Sequence, residues 1–292
     1  MSNEFMTTNG RNAHAVAQRR PSNVWLIIVA ALFIIVPFLT WYLTWFGRTL
    51  SDDKIAEYLA DEKHPRNIQH ALTQIEARME NKDASVKKFY PRIVELTKNP
   101  NTEVRKTVAW VMGEDNTSED FHRGLLSLLN DREPLVRRNA ALQLIRFTDA
   151  NGKPDASGRP ELRAMLQPFE AKSPIAGTLV SILPVGSEVH AGALLARIRD
   201  SSGNTQEFRA AIDGKITTPV VAKEGDPIAP NQTIAWLAPD RATILTALQA
   251  LAYVGTLDDL PFVESVTQID ASQETVNQAA LTAKAIRSRA VL

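Results

Sequence analysis

The chain has 292 residues with 33 basic and 33 acidic side chains, so its formal net charge is zero and gives no electrostatic case for nucleic acid as a partner. It contains no cysteine, which excludes disulfides and thiolate metal sites. A helical stretch, a β-rich stretch and a second helical stretch make it an α+β multidomain chain.

Residues 1–22 are polar and aperiodic and read as a disordered cytoplasmic tail. Residues 23–47 read as a transmembrane helix. From Val24 to Phe46 there is no charged residue, and a crossing takes roughly 20 apolar residues. Trp25 stands at one end and Trp41, Tyr42 and Trp45 at the other, as in the aromatic belts of membrane interfaces. Pro37 interrupts the run in a way transmembrane helices tolerate. The run is longer than a signal-peptide core and lacks an A-x-A cleavage pattern. Arg19-Arg20 is followed by Pro21 and by too long an apolar run for a twin-arginine signal. Arg11, Arg19 and Arg20 outnumber Glu4 ahead of the helix, which places the N-terminus in the cytoplasm. The expectation is single-pass anchoring in the inner membrane, with the bulk of the chain extracytoplasmic and the lipid bilayer as one partner.

Residues 52–168 show internal repetition. Val104 and Val136, and likewise Ala109 and Ala141, are 32 positions apart, as are Ile244 and Val276, and Ala247 and Ala279. Ile68, Ala71, Leu72 and Ile75 form a weaker copy upstream. Apolar positions in each copy fall at i, i+3, i+4 and i+7, predicting a helix. Partner helices are predicted over Val86 to Lys98, Glu119 to Leu129 and Leu260 to Ile269. Paired helices with V-R-x-x-A opening the second one resemble HEAT repeats, over about 55–150 and 240–292. The gap from Val136 to Ile244 is far too long for one loop. Residues 159–168 read as the first helix of a further repeat whose partner, Arg241 to Val254, is delayed by an inserted domain. Residues 239–292 complete the helical part.

The insert, 171–238, carries short β-rich runs separated by Gly and Pro. Its halves match: Pro174-Ile175-Ala176-Gly177 with Ala211-Ile212-Asp213-Gly214, and Gly186-Ser187-Glu188-Val189 with Gly225-Asp226-Pro227-Ile228. The four glycines at 177, 186, 214 and 225 read as turn positions needing φ > 0. This pattern resembles the biotin/lipoyl-attachment domain, whose two halves form a flattened barrel. In that family a lysine on the hairpin between the halves carries the cofactor. The matching hairpin here, 197–209, has no lysine. Arginine cannot stand in, because its guanidinium stays protonated. The resemblance therefore implies a barrel without covalent biotin or lipoate.

Catalytic motifs are not apparent, so no catalytic, cofactor-binding or metal-ligating residue is assigned and no enzyme is expected. The histidines are scattered, and Asp52-Asp53 and Asp258-Asp259 read as helix-start acids. Arg105-Lys106 and Arg137-Arg138 recur at the repeat period. They read as solvated or salt-bridging positions, or as a basic strip for an acidic partner. Trp110 reads as core, and Trp236 as buried where the barrel meets the helices. The function expected is a non-catalytic, membrane-anchored scaffold or accessory subunit of a bacterial-type complex, binding integral membrane proteins. The alternative is a periplasmic adaptor resembling membrane fusion proteins, although its long coiled-coil hairpin and following β-barrel have no counterpart here.

Overall fold

The computed structural model describes residues 24–45, 49–217 and 223–290. The chain divides into two units, Met1–Thr49 and Leu50–Leu292. The expected tail, 1–22, lies outside the described residues.

The first unit contains helix α1 (Val24–Trp45), an uncharged run with Pro37 inside it. Proline supplies no N–H to the helix. Near this break Thr40 Oγ1 donates to the Val36 carbonyl at 2.7 Å. Trp25 is 73% exposed and Pro37 is exposed too, while the side chains of Trp41, Tyr42 and Trp45 lie outside the described residues. Among the described residues no helix is long and apolar enough to cross a membrane. The expected anchor over 23–47, its orientation and its inner-membrane location are corrected accordingly: an apolar helix is present, and a membrane span is not shown.

In the second unit, helices α2 (Asp52–Ala60), α3 (Pro65–Glu80), α4 (Tyr90–Glu95), α5 (Thr102–Met112), α6 (Glu119–Leu128) and α7 (Pro134–Leu144) come first. Their starts are written in the sequence. Ser51, Asn101 and Ser118 accept backbone N–H groups of the first turn through their side chains, and Pro65 and Pro134 sit where a missing N–H costs nothing. Their apolar faces meet in one core, with Ile55, Leu72, Ile75, Ile93, Met112, Phe121 and Leu125 closed off from solvent. A second core joins α7 and α8 (Arg159–Ala164) to α9 (Arg241–Val254), α10 (Leu260–Ser265) and α11 (Gln273–Arg289), through Leu162, Leu166, Ile244, Leu248 and Ile286.

The HEAT-like array expected over about 55–150 and 240–292 is corrected here to helices around two separate cores, without a solenoid of regular helix pairs. The partner helix expected over 86–98 is broken into a 3-10 turn at Ala84–Phe89, the short α4, and a further 3-10 turn at Leu96–Lys98. The helix expected over 260–269 breaks in the same way, after Ser265. Pro91 and Pro261 follow the first residue of α4 and α10, where each can start a turn but cannot extend one already running. The helix expected over 159–168 has only a single α turn and a half.

Among the described residues, eight strands lie between α8 and α9: β1 (Phe169–Lys172), β2 (Gly177–Ile182), β3 (Glu188–Val189), β4 (Leu194–Arg199), β5 (Thr205–Arg209), β6 (Gly214–Thr217), β7 (Pro227–Ile228) and β8 (Thr233–Ala238). They form two antiparallel four-stranded sheets, ordered β1-β8-β6-β3 and β5-β4-β2-β7. The closed barrel expected over 171–238 is corrected to two open sheets, each ending on edge strands. The pairing is two-fold: β2 lies between β4 and β7, and β6 between β8 and β3. The glycines divide into two kinds. Gly186 and Gly225 adopt φ of 90° and 92°. Gly177 and Gly214 do not; a Cβ there would lie 2.3 Å from the Arg199 carbonyl and 2.5 Å from that of Ala238. Close backbone approach, and not turn geometry, requires glycine at those two sites. Phe169 pairs with Leu237, so the chain enters and leaves the β segment on neighbouring strands.

Candidate interaction surface

Of the two readings open for Arg105, Lys106, Arg137 and Arg138, paired positions or a basic strip, the contacts around three of them are those of paired side chains. Arg105 is buried, and its guanidinium grips the Asp131 carboxylate at 2.6 and 3.0 Å. Its remaining Nη1 donates to the carbonyls of Asn99 and Pro100. Arg137 repeats the arrangement 32 residues on, donating to the carbonyls of Asp131 and Arg132 and to Glu161 at 3.0 Å. Burial pushes the Asp131 carboxyl up, but the Arg105 hydrogen bond and the Glu133 amide outweigh it and hold it below the usual carboxylate range. Lys106 pairs with Glu103 one turn away at 3.0 Å. Arg138 is buried, and among the described residues its Nε has no hydrogen-bond partner, lying 3.8 Å from Glu161; burial pulls its pKa down from the ordinary guanidinium value. Arg105 and Arg137 tie successive helical segments together, Lys106 pairs within its own helix, and the 32-residue spacing that suggested a strip is the spacing of the two arginine ties.

Trp110 was expected in the core and is instead 45% exposed. It sits on α5, and its indole Nε1 donates to Glu76 of α3 at 2.6 Å. Beside it a shallow depression of about 310 Å³ is lined by Glu103, Lys106, Thr107, Trp110 and Asn139. Gln69 of α3 reaches the Thr107 hydroxyl, and Asn139 of α7 donates to the Lys106 carbonyl. Three helices thus present one polar face around a single fixed indole. Trp236, by contrast, is half-buried on β8 opposite Glu170 and Thr217.

A larger cleft of about 700 Å³ opens between the start of α6 and the loop 147–156. His122 lies 2.5 Å from Asp155 through Nε2 and 3.9 Å from Glu119 through Nδ1, and its ring stacks on Phe147. Burial pushes the Asp155 carboxyl up, and hydrogen bonds from Ser157 and His122 more than reverse it. With a carboxylate facing each nitrogen, His122 pins the loop to α6. Sequence reasoning passed over this residue because its partner stands 33 positions away with no motif between them.

A second cleft, of about 480 Å³, lies beyond the same loop, between the C-terminal ends of α9 and α11. Its apolar lining includes Tyr253, Val254, Leu257 and Ile286, and Lys153, Arg159 and Arg289 add positive charge.

No family model matches the chain, and no curated protein does. The chain is faintly similar to a solved structure described as "Structure and function of a single-chain, multi-domain long-chain acyl-coa carboxylase". The match has 14% identity and a TM-score of 0.24, and covers 36% of this chain and 11% of that one. A likeness this weak carries no argument about fold or activity.

Proposed function

We propose that the protein is a non-catalytic scaffold that binds other proteins through the α3–α5–α7 face centred on Trp110. The observation that carries this reading is an indole nearly half exposed yet held in place by Glu76. A rigid aromatic anchor surrounded by polar groups has the character of an interface hot spot, where truncation typically costs 2 kcal/mol or more. The anchor loses little side-chain entropy on binding, because the hydrogen bond has already fixed it. Integral membrane partners and a bilayer were expected on the strength of the anchor alone; with that corrected, the proposal is for partner proteins without regard to compartment.

The test is affinity capture of the tagged full chain from its native source, beside Trp110→Ala. Stoichiometric recovery of a partner that falls about 30-fold in affinity with Trp110→Ala, at unchanged melting temperature, supports the reading. Recovery of the chain alone, or a partner retained undiminished by the variant, overturns it.

A further inference from the structure

The cleft between the ends of α9 and α11 has a composition of its own. Tyr253 is 64% exposed and Leu257 52% exposed, although both are large apolar side chains on well-packed elements. Behind them Val254 and Ile286 are buried and close the apolar floor. The rim is positive. Arg289 spends its hydrogen bonds on neutral acceptors, the carbonyls of Leu251, Ala252 and Gly255, so it caps the end of α9 and, among the described residues, meets no carboxylate. Burial pulls its pKa below the ordinary value, as expected for a guanidinium short of a counter-charge. Lys153 stands exposed on the facing loop, and among the described residues its ammonium has no ion-pair partner. Arg159 donates to the Thr256 hydroxyl at 3.0 Å and lies 3.7 Å from the buried Asp259, so its charge is partly matched. Asp258 is the acidic residue on the rim.

Resting on the scaffold reading, we propose that this cleft takes an acidic segment of the partner protein, seating one apolar side chain against Tyr253 and Leu257 and placing carboxylates on Lys153 and Arg289. The complementarity is two-sided. Among the described residues Lys153 and Arg289 stand without a carboxylate while Arg159 is matched by Asp259, so against the one rim acid Asp258 the cleft selects negative charge, and the exposed apolar wall selects a side chain that would otherwise stay in water. The volume lies within the range of pockets that enclose a ligand of a few residues' side chains. A basic segment would meet Lys153, Arg159 and Arg289 unfavourably, which makes the cleft discriminating as well as adhesive.

The experiment titrates the full chain into a short fluorescein-labelled peptide carrying a leucine between glutamates, and into a counterpart with lysines in place of the glutamates. The expected result is saturable binding of the acidic peptide only, weakened about tenfold by Lys153→Glu and by Leu257→Ser, and weakened by added salt. Both substituted residues are exposed, so melting temperatures should hold. No saturable binding of the acidic peptide, equal binding of the lysine peptide, or binding indifferent to both substitutions overturns the proposal. The capture experiment separates the two readings. A natural partner recovered equally by wild type and by the double variant removes the cleft and leaves the scaffold. If wild type recovers no partner, the scaffold reading falls whatever the peptide does.

Discussion

The helices of 52–147 and the sheets of 169–238 hold themselves together by different means. The helices share one continuous apolar core of large side chains, and buried or half-buried ion pairs stitch one helix to the next. The sheets divide their apolar residues between two smaller clusters and depend on backbone fit: turns with positive φ at Gly186, Gly192, Gly203, Gly225 and Asn231, and two glycines pressed against opposing carbonyls. In the first region specificity resides in side chains, and in the second in the path of the main chain. A side-chain truncation should therefore damage the helices most, whereas adding a single methyl group should be enough to damage the sheets.

The largest effect is expected from Phe121→Ala. This ring is wholly buried and packs on Tyr90 at 4.2 Å between centroids. Truncation should cost about 3–5 kcal/mol by denaturant unfolding followed through the helical circular dichroism. A cost below about 1 kcal/mol would break the contrast, since it would mean that the helical core tolerates a cavity.

Arg105→Ala comes next, at roughly 3 kcal/mol, because it strands the buried Asp131 carboxylate. The same pair sets an acid limb. The folded pKa of Asp131 is depressed, so its contribution is fully present above its unfolded pKa of about 4 and disappears as pH falls through the lower folded value. Asp131→Asn should flatten that limb of the stability–pH curve. An unchanged limb would show that Asp131 does not titrate with folding.

Gly177→Ala sharpens the other side. Its Cβ would meet the Arg199 carbonyl at 2.3 Å, and relieving that overlap should cost about 1–3 kcal/mol. The residues whose amide protection falls should be those of β2 and β4, with the helices of 52–147 unaffected; equal loss in both regions would show that they unfold as one. Smallest is Tyr90→Phe, which removes a 2.8 Å hydrogen bond to Asp115 and should cost about 1 kcal/mol.

Helix starts and the β-rich character of the middle segment were legible in the sequence, because capping residues and glycine spacing act locally. Ser51, Asn101, Ser118 and Asp240 accept first-turn amides through their side chains, as such residues do. The breaks inside 84–98 and 260–268 were only partly legible: Pro91 and Pro261 mark where the α turns begin, and nothing comparable marks where they end. Apolar spacing there continues smoothly, and what changes is the backbone, from 3-10 to α and back. The placement of Trp110 was missed for a related reason. Val108, Val111 and Met112 around it are core, but the indole leans off their face toward Glu76 on a neighbouring helix, a partner 34 residues away. The apolar run at 24–45 announced a helix and overstated what could be concluded from it about a membrane.

The pairing of Phe169 with Leu237 carries a consequence for chain entropy. To α8 and α9, everything between those two residues is a loop whose ends must meet before Leu162 and Leu166 can reach Ile244 and Leu248. Were that stretch a flexible tether of about 70 residues, closing it would cost on the order of 3–4 kcal/mol. The β1–β8 ladder holds the ends side by side, so once the sheet has formed the helices on either side meet as though they were consecutive. The sheet therefore acts on the second helical core as a cross-link does, by restricting the states of the chain that compete with it.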